Sequence, residues 1–420
     1  MIYCTRCLYN EYHPLNIIFD EDGLCSGCSI HEEKDIINWS DKAKKLASIL
    51  NGFKNTSGNN YDCIIPVSGG KDSYFIVHTV KNVYGMNPLL VTYNKHYNTD
   101  VGIRNLANLR IKFNCDIITL TVNPDTVKKI TRATLRKRGS IYWHCIAGQT
   151  VFPVQIAVKF KIPLIIWGAQ QGTDQVGMFS HNDEVEMTRK YRKEHDLMGL
   201  EAEDLVDDFD GISAKDITQY KYPDDIEIER VGVRGIYLNN FIRWDSKQQH
   251  ELMIKLYNYE TAFQTRTFDN YNDIDCYNYS DVHDYIKFIK HGYGKVVDHA
   301  TREIRLKRIT RQEGIALVNK YANEFPKNLK LFLEWIGITQ NSFMYILDQH
   351  RNKAIWERDD NWEWKIKKVS YHLFESNKNL TPLSLDKNIS SIEFLLTSSK
   401  ISTDSKDSYI IIGKGTNKVG

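Results

Sequence analysis

The chain has 420 residues, long enough for two or three domains with a sizeable hydrophobic core. Its 55 lysine and arginine residues nearly balance 53 aspartate and glutamate residues, which argues against a dedicated nucleic-acid-binding protein. No apolar run reaches the about 20 residues of a membrane-spanning helix, and the first residues do not form a signal peptide. We therefore expect a cytoplasmic protein without a membrane partner.

Two Cys-x-x-Cys pairs lie near the beginning of the chain, and 17 residues separate them: Cys4, Cys7, Cys25 and Cys28. Four thiolates at this spacing are typical of a closed, tetrahedral, structural zinc site. Metal binding of this kind contributes ~10–16 kcal/mol, which can fold a segment too short to bury its own core. Residues 1–33 are therefore predicted to be a zinc ribbon, with buried or redox-active cysteines as the alternative. The nearby His13 and His31 are interpreted as surface residues.

A linker follows at residues 34–60, with a predicted helix at 39–50 and a polar loop. Residues 61–67 are apolar and β-branched, which predicts a buried strand, and helical spacing begins at 74–83. The loop between them carries hydroxyl groups, glycines and a lysine: Ser68, Gly69, Gly70, Lys71, Asp72 and Ser73. A strand, a glycine-rich turn and a helix direct backbone N–H groups toward an anion. We expect both glycines to permit close approach and to take positive φ angles; an ordinary tight turn is the alternative.

This loop resembles the SGGxDS signature of the PP-loop ATP pyrophosphatase superfamily. It does not have the GxxxxGK[ST] spacing of a Walker loop. Members of the superfamily hold the pyrophosphate end of ATP and cleave between the α- and β-phosphates. The resemblance therefore implies that all six loop residues bind ATP.

Strands and helices continue to alternate after the loop. Further strands are predicted at 88–93, 116–122 and 163–168, and helices at 100–113, 125–138 and 142–160, the last interrupted near Pro153. This alternation predicts a doubly wound parallel sheet over residues 61–244, of the PP-loop or adenine nucleotide α-hydrolase type. In such a sheet the ligand binds at the carboxyl ends of the strands.

Two other strand ends are predicted to contact the nucleotide. Thr92 and Tyr93 end the second strand, where they are placed to contact adenine and ribose. Gly168 and Gln170 follow the fourth strand in a polar turn and are predicted to contact the adenylate or the substrate. For Tyr93, a half-buried aromatic at a strand end is an equal alternative.

Two segments beyond the sheet strands allow more than one interpretation. His144 is either an acid–base group beside a nucleophilic Cys145 or a packed histidine beside a buried thiol. Residues 170–235 are charged and irregular, which predicts an insertion or a lid. Three aspartates of that segment are either magnesium ligands or part of a solvated surface: Asp207, Asp208 and Asp210.

Residues 245–369 are predicted to be a mostly helical region that contacts the substrate or a partner. Three arginines with helical spacing predict either an anion-binding patch or a solvated face: Arg302, Arg305 and Arg308. Residues 370–420 are rich in serine, asparagine and lysine, with β-like runs at 392–396 and 408–412. They are interpreted as a peripheral tail.

Together these features resemble the N-acetyl sugar amidotransferase family of bacterial PP-loop enzymes. The resemblance covers about residues 1–369 and rests on these runs: YCTRC, GLCSGC, CIIPVSGGKDS, VTYNK, FKIPLIIWG, FIRWD, HDYIKFIKHGYGK, EIRLKRITRQEG and IWERDDNWEWKIK. The family converts an acetamido group on a sugar into an acetamidino group. It does so in the biosynthesis of pseudaminic acid, legionaminic acid or lipopolysaccharide O-antigen.

The resemblance implies that ATP adenylates the acetamido oxygen and that ammonia then replaces it, with release of AMP and pyrophosphate. Mg²⁺ is expected at the phosphates and Zn²⁺ at the ribbon. The predicted catalytic residues are Lys71, Asp72, His144, His283 and His291. The chain carries no cysteine in a glutaminase setting, so a separate glutaminase subunit is inferred to supply ammonia. The main alternative is a tRNA-modifying PP-loop enzyme of the thiolase or lysidine synthase type; a non-catalytic nucleotide-binding scaffold is another.

Overall fold

The computed structural model describes residues 1–55, 58–367 and 394–397. Its centre is a five-stranded, wholly parallel sheet with the order β3-β2-β1-β4-β5. A separate antiparallel pair lies later in the chain. The strands are β1 Cys63–Pro66, β2 Pro88–Tyr93, β3 Ile117–Leu120, β4 Leu164–Trp167, β5 Arg234–Tyr237, β6 Trp356–Arg358 and β7 Trp364–Ile366. The predicted fold class, a doubly wound parallel sheet followed by a helical region, is confirmed.

The helices of the described residues are α1 Ser26–Ile36, α2 Trp39–Phe53, α3 Lys71–Val77, α4 Asp100–Phe113, α5 Pro124–Arg138, α6 Trp143–Phe160, α7 Arg189–Tyr191, α8 Asp225–Val231, α9 Ser246–Tyr257, α10 His283–His291, α11 Lys295–Arg305, α12 Arg311–Tyr321, α13 Leu329–Ile336 and α14 Gln340–Gln349. A π-helical segment, His78–Val83, extends α3. The two faces of the sheet are covered by different helices. Helices α3, α4 and α9 pack on one face, where Ile65 is buried, and α6 packs on the other, where Ile64 is buried.

Local capping explains why the predicted bounds of α4 agree with the structure. The Thr99 hydroxyl accepts a hydrogen bond from the Gly102 N–H at 3.0 Å, and Asn114 ends the helix in the left-handed conformation. Both residue types favour those positions. The predicted interruption of α6 near Pro153 is wrong, because the helix is continuous through it. A proline inside a helix costs about 3 kcal/mol, and the burial of neighbours such as Val151 and Val154 offsets this loss.

The strand order creates a crevice at one edge of the sheet. Strand β1 is central; the chain first builds β2 and β3 on one side of it and then β4 and β5 on the other. The connections therefore diverge above the carboxyl ends of β1 and β4. Ligands of doubly wound proteins bind at this kind of switch point. The 68–73 loop follows β1, and the 168–171 turn follows β4, so both border the crevice.

The segment between β4 and β5 is packed onto the sheet domain and is not a detached lid. Its apolar residues, including Leu197, Leu205 and Tyr220, are buried in one cluster with residues of α5 and α6. Two of its aspartates form ion pairs: Asp210 with Arg132, and both Asp208 and Asp210 with Arg136. These pairs hold the segment to α5 and argue against the magnesium-ligand interpretation.

The first 33 residues share a hydrophobic core with the helical region. The cysteine pairs, Leu8 and Tyr9 are buried in one cluster with Val296, Ala300 and Ile304 of α11. The Arg311 guanidinium also donates to the backbone carbonyl oxygens of Cys7 and Cys4, at 3.2 and 3.0 Å. The cysteine module, residues 1–33, therefore packs directly against α10–α12 and shares one hydrophobic core with them.

Most of the predicted tail at 370–420, including the run at 408–412, lies outside the described residues. Of its other predicted run, residues 394–397 are described. The Phe394 ring lies 5.0 Å from that of Tyr271, and Thr397 exchanges hydrogen bonds with Thr261. Across the described ranges, no helix has the length and apolarity needed to cross a membrane.

Close backbone packing, and not positive φ, explains the glycine at position 69. A Cβ atom on Gly69 would lie 2.2 Å from the Gly102 carbonyl oxygen, and one on Gly102 would lie 2.6 Å from the Asp275 Cα. The predicted positive φ angles are wrong: Gly70 has φ −82°, and neither loop glycine is left-handed. The 68–73 loop, α4 and the segment that carries Asp275 therefore approach one another so closely that no side chain fits at positions 69 and 102.

We expect Gly69→Ala to destabilise the protein by about 1–3 kcal/mol, since the added methyl group must displace backbone atoms of α4. Chemical denaturation measures this change. Gly52→Ala is the matched control, because a Cβ at this helical position of α2 meets no atom within 4 Å. That control should be neutral or stabilise by up to about 1 kcal/mol. Equal stability of the two variants would contradict the packing argument.

Candidate functional site

A cavity of about 610 Å³ opens at the carboxyl ends of β1 and β4. This volume is within the range of small-ligand sites. The predicted ATP-binding residues that line it are Ser68, Gly70, Lys71, Asp72, Ser73, Tyr93, Gly168 and Gln170. Gly69 and Thr92 do not line it: Gly69 faces the backbone of α4, and Thr92 is buried within the sheet, paired with Thr119. We call this space the large cavity.

The 68–73 loop is held by its own side chains. The Ser68 N–H donates to the Ser73 hydroxyl at 2.9 Å, and the Gly70 N–H donates to the Ser68 hydroxyl at 3.0 Å. The buried Lys71 ammonium forms an ion pair with Asp72 and donates to the Ser246 hydroxyl at 3.1 Å. The lysine is therefore positioned at the beginning of α3, where the helix dipole also favours an anion.

Gln170 lines the large cavity, and its side-chain amide is held in one orientation. Its Oε1 accepts from the N–H and the hydroxyl of Thr173, at 2.6 and 3.0 Å. These contacts fix the amide orientation and leave Nε2 buried without a hydrogen-bond partner among the described residues. A buried donor of this kind gains free energy when a ligand oxygen accepts from it.

A buried ion pair joins the sheet to the helical region beside the loop. The Lys95 ammonium lies 2.6 Å from the Asp275 carboxylate, and the two residues are 6% and 5% exposed. Burial opposes the charge on Lys95, but the Asp275 carboxylate outweighs it and raises the pKa of Lys95. Lys95 belongs to the predicted end of the second strand, where adenine and ribose contacts are expected, whereas no sequence signal pointed to Asp273, Asp275 or Ser246. No strand or helical period marks residues 269–277, so the sequence offers only their polar composition as a signal.

His144 and Cys145 lie behind the cavity wall and not in it. The His144 Nδ1 is 3.0 Å from the Tyr93 hydroxyl, and its Nε2 is 3.2 Å from the Tyr97 hydroxyl. Burial lowers the pKa of His144 to about 3 and raises that of the Cys145 thiol. The buried interpretation fits both residues, and their placement supports neither proton transfer to a ligand nor nucleophilic attack.

His283 and His291 both line the large cavity. His283 stacks on Tyr279 with ring centroids 4.9 Å apart, and its Nδ1 has no hydrogen-bond partner in the described chain. Burial lowers the pKa of each histidine to about 3, and for His291 the charge of Lys290 acts in the same direction. Both rings are therefore neutral near pH 7.

A second space of about 240 Å³, the inner cavity, adjoins the large one. Both cavities are lined by Lys71, Asp72, Asp273, His283 and Lys287, among others. The predicted arginine patch does not form a common face toward it. Arg302 pairs with Asp269, Arg305 contacts the cysteines, and Arg308 is buried against Asp245 and Glu303. Arg302 and Arg305 line the inner cavity, whereas Arg308 holds α11 to the beginning of α9.

The four predicted metal ligands form a buried cluster, with all sulfur atoms within 4.8 Å of one another. Cys4 and Cys28 are 3.9 Å apart, and Cys7 and Cys25 are 3.6 Å apart. Tetrahedral zinc with Zn–S bonds of ~2.3 Å separates its sulfurs by about 3.8 Å, so the cluster fits zinc. The Arg305 guanidinium donates to the Cys28 and Cys25 sulfurs at 3.3 and 3.5 Å.

The expected surface positions of His13 and His31 are wrong, because both are buried. His13 packs between Tyr9 and Tyr293, and its Nδ1 accepts from the Leu15 N–H at 3.2 Å. Neither histidine belongs to the four-cysteine cluster. Isolated histidines carry no sequence pattern that distinguishes an exposed ring from one that another segment covers.

The fold and the site define the class of protein: a doubly wound α/β protein with a candidate anion-binding loop at its switch point. Residues 265–370 match a family model described as the C-terminal domain of WbpG-like lipopolysaccharide biosynthesis proteins. This match covers α10–α14 and therefore includes the helices that carry His283, His291 and Arg302.

Part of the chain is similar to the uncharacterized protein MJ1599 of Methanocaldococcus jannaschii, with 27% identity over 117 residues. The match covers 28% of this chain and 42% of that protein, less than half the length of the relative. A solved structure, NMN synthetase from Francisella tularensis, is similar with a TM-score of 0.26 and 13% identity. That similarity covers 54% of this chain and 98% of the synthetase chain.

We expect the four-cysteine cluster to bind one zinc ion per chain, and Cys28→Ser to remove it, since three thiolates bind zinc more weakly than four. Elemental analysis of the purified protein measures zinc content, and thermal melting should show loss of stability. Cys115→Ser is the matched control, because Cys115 is half-buried and outside the cluster. Unchanged zinc content in the Cys28 variant would contradict the assignment.

Proposed function

We propose that this protein is an ATP-dependent, AMP-forming amidotransferase that converts the acetamido group of an N-acetylated sugar into an acetamidino group. The proposal places it in bacterial surface-polysaccharide or glycan biosynthesis. The match of residues 265–370 to a lipopolysaccharide biosynthesis domain supports that setting. The observation that carries the proposal is the convergence of the 68–73 loop, Gln170 and His283 on one cavity at the switch point.

The loop and its lysine suit the phosphate end of ATP. Backbone N–H groups at the beginning of α3 and the Lys71 ammonium provide donors and positive charge in a partly enclosed space. Such preorganised groups stabilise the charge that develops on departing pyrophosphate. When Mg²⁺ is bound with ATP, Asp72 and Asp273 would hold it, because both line the cavities and carboxylates suit this cation, which would neutralise phosphate charge.

The first step activates an inert amide. The acetamido oxygen attacks the α-phosphorus, and the bond to the bridging oxygen breaks so that pyrophosphate leaves with the electron pair. The amide N–H proton is lost, which leaves an O-adenylyl imidate. The Gln170 amide, which has an unused donor, would hold the phosphate or the sugar in line for this attack.

The second step replaces oxygen with nitrogen. Ammonia adds to the imidate carbon and loses a proton, and the carbon–oxygen bond then breaks so that AMP leaves with the former amide oxygen. His283 lines both cavities and has an unpaired Nδ1, so its position makes it the best-placed group to accept that proton. His291 lines the large cavity but not the inner one, and His144 is buried and lines neither.

Ammonia is proposed to come from a separate glutaminase subunit. A glutaminase needs an activated cysteine nucleophile. Four cysteines belong to the candidate zinc site, and burial raises the pKa of the Cys145 thiol. A tRNA-thiolating enzyme would need a reactive thiol near the nucleotide, so the same burial argues against this alternative.

Lys71→Ala should reduce AMP formation by roughly 10²- to 10³-fold, because one preorganised donor to the reacting phosphates is lost. The assay uses ATP, ammonium and a panel of acetamido sugars, with chromatography of the nucleotide products. Lys81→Met is the matched control, since Lys81 donates to a backbone carbonyl away from both cavities. Release of ADP and orthophosphate by the wild-type protein, or full activity of Lys71→Ala, would contradict the proposal.

Cys145→Ser should retain ammonia-dependent activity to within about threefold, because the thiol is buried and takes no part in either step. A buried Cys-to-Ser change in a core can lower stability by ~1–3 kcal/mol, so thermal melting accompanies the rate measurement. Loss of activity in a folded variant would favour the thiolation alternative.

A further inference from the structure

We call the part of the large cavity lined by residues 13–15, Lys290, His291 and Tyr293 its outer end, because none of these residues lines the inner cavity. We propose that this outer end is a second ligand subsite that binds an anionic group, a phosphate or a carboxylate, of the acceptor molecule. The cysteine module and the end of α10 form this subsite together, through His13, Lys290 and Tyr293. The inference depends on the proposed function only in taking the acceptor to be an N-acetylated sugar. It assigns the cysteine module a direct role in binding the acceptor.

The cysteine module supplies part of the cavity wall. Residues 13–15 line the large cavity together with His291 and Tyr293, which lie at the end of α10 and in the turn to α11. The His13 ring stacks on that of Tyr293, with centroids 5.6 Å apart and planes 26° apart. The Lys287 ammonium lies 4.5 Å from the centroid of the same tyrosine ring. These contacts place the module beside the helices that carry the cavity's basic residues.

Two buried polar atoms at this end have no hydrogen-bond partner within the described ranges: the His13 Nε2 and the Tyr293 hydroxyl. The two residues are only 5% and 3% exposed. Buried polar groups in folded proteins are almost always paired. Because both residues line the cavity, a bound ligand with hydrogen-bonding oxygens is the simplest partner for them.

Lys290 is the third feature, a half-buried cation that lacks a counter-ion. Its ammonium donates to the Arg138 carbonyl oxygen at 2.7 Å, and no carboxylate of the described residues lies within ion-pair distance. The other lysines that line the two cavities each pair with a carboxylate: Lys34, Lys71, Lys95, Lys287 and Lys295. Burial and the neighbouring Arg138 charge lower the pKa of Lys290 to about 8.

An anion would satisfy all three features at once. A phosphate or carboxylate oxygen accepts from the Lys290 ammonium, and further oxygens accept from the Tyr293 hydroxyl and from the Nε2–H of the neutral His13 ring, whose Nδ1 already accepts from Leu15. Arg138 adds positive charge, since its guanidinium donates to the carbonyl oxygens of Met198 and Lys137 and forms no ion pair in the described chain. A neutral ligand would leave this excess of positive charge uncompensated.

The test measures equilibrium binding by calorimetry with the full-length zinc-loaded protein, with the nucleotide end filled by α,β-methylene-ATP. Three probes are compared: N-acetylglucosamine 1-phosphate, N-acetylneuraminic acid and neutral N-acetylglucosamine. We expect one of the two anionic probes to bind more tightly than the neutral sugar. The one that binds identifies phosphate or carboxylate as the group recognised.

Lys290→Met should weaken binding of that anionic probe by about tenfold or more, because a charge-assisted hydrogen bond is lost. Lys290→Arg should largely restore it, which a purely structural role would not predict. Lys81→Met is again the control, because it removes a lysine that also donates to a backbone carbonyl.

Equal binding of all three probes, no millimolar binding of either anion, or unchanged affinity in a folded Lys290→Met variant would each overturn the subsite. The binding measurement needs no turnover. If the protein bound the anionic probe but formed no AMP, the proposed function would be wrong and the subsite would be supported. If it formed AMP but did not bind either anion, the subsite would be wrong and the proposed function would be supported.

Discussion

The arrangement of the site depends on one close contact between three backbone segments. Gly69 lets the 68–73 loop touch Gly102 of α4, and Gly102 in turn lets the segment with Asp275 approach. Asp275 then reaches the buried Lys95 at the end of β2. Removing one partner of a buried pair costs ~3–5 kcal/mol, far more than an exposed pair contributes. The backbone contact and the ion pair together therefore fix the position of the helical region relative to the sheet.

This constraint explains why the helical region belongs to the site. The segment after β5 brings Ser246 to the Lys71 ammonium, and Asp275 lies beside Gly70 of the loop. Helix α10 then adds His283 to both cavities. A doubly wound sheet alone would present its loop to open solvent, where charges are strongly screened. The helical region encloses the loop, so the charges and donors of the loop are less screened by solvent.

Much of the sheet could be predicted from the sequence, because apolar β-branched runs and capping residues are local signals. Strand β2 and helix α4 agree with the predicted bounds, and the paired cysteines converge as their spacing indicates. The burial of His13, the partners of the arginines on α11 and the segment that Gly69 packs against could not be predicted. Each depends on which distant segment packs there, and a single sequence carries no pattern for such contacts.

The buried thiolates of the cysteine module need a compensating positive charge, and Arg305 provides it. Four thiolates with one Zn²⁺ would carry a net charge of −2, and burying this charge without compensation is unfavourable. Arg305 donates to three of the sulfurs and also to the Gln175 carbonyl oxygen at 2.6 Å. Gln175 lines both cavities. Because Arg305 lies at the end of α11, the cysteine module must pack against this helix to have its charge compensated. Packing at this position also places residues 13–15 in the wall of the large cavity.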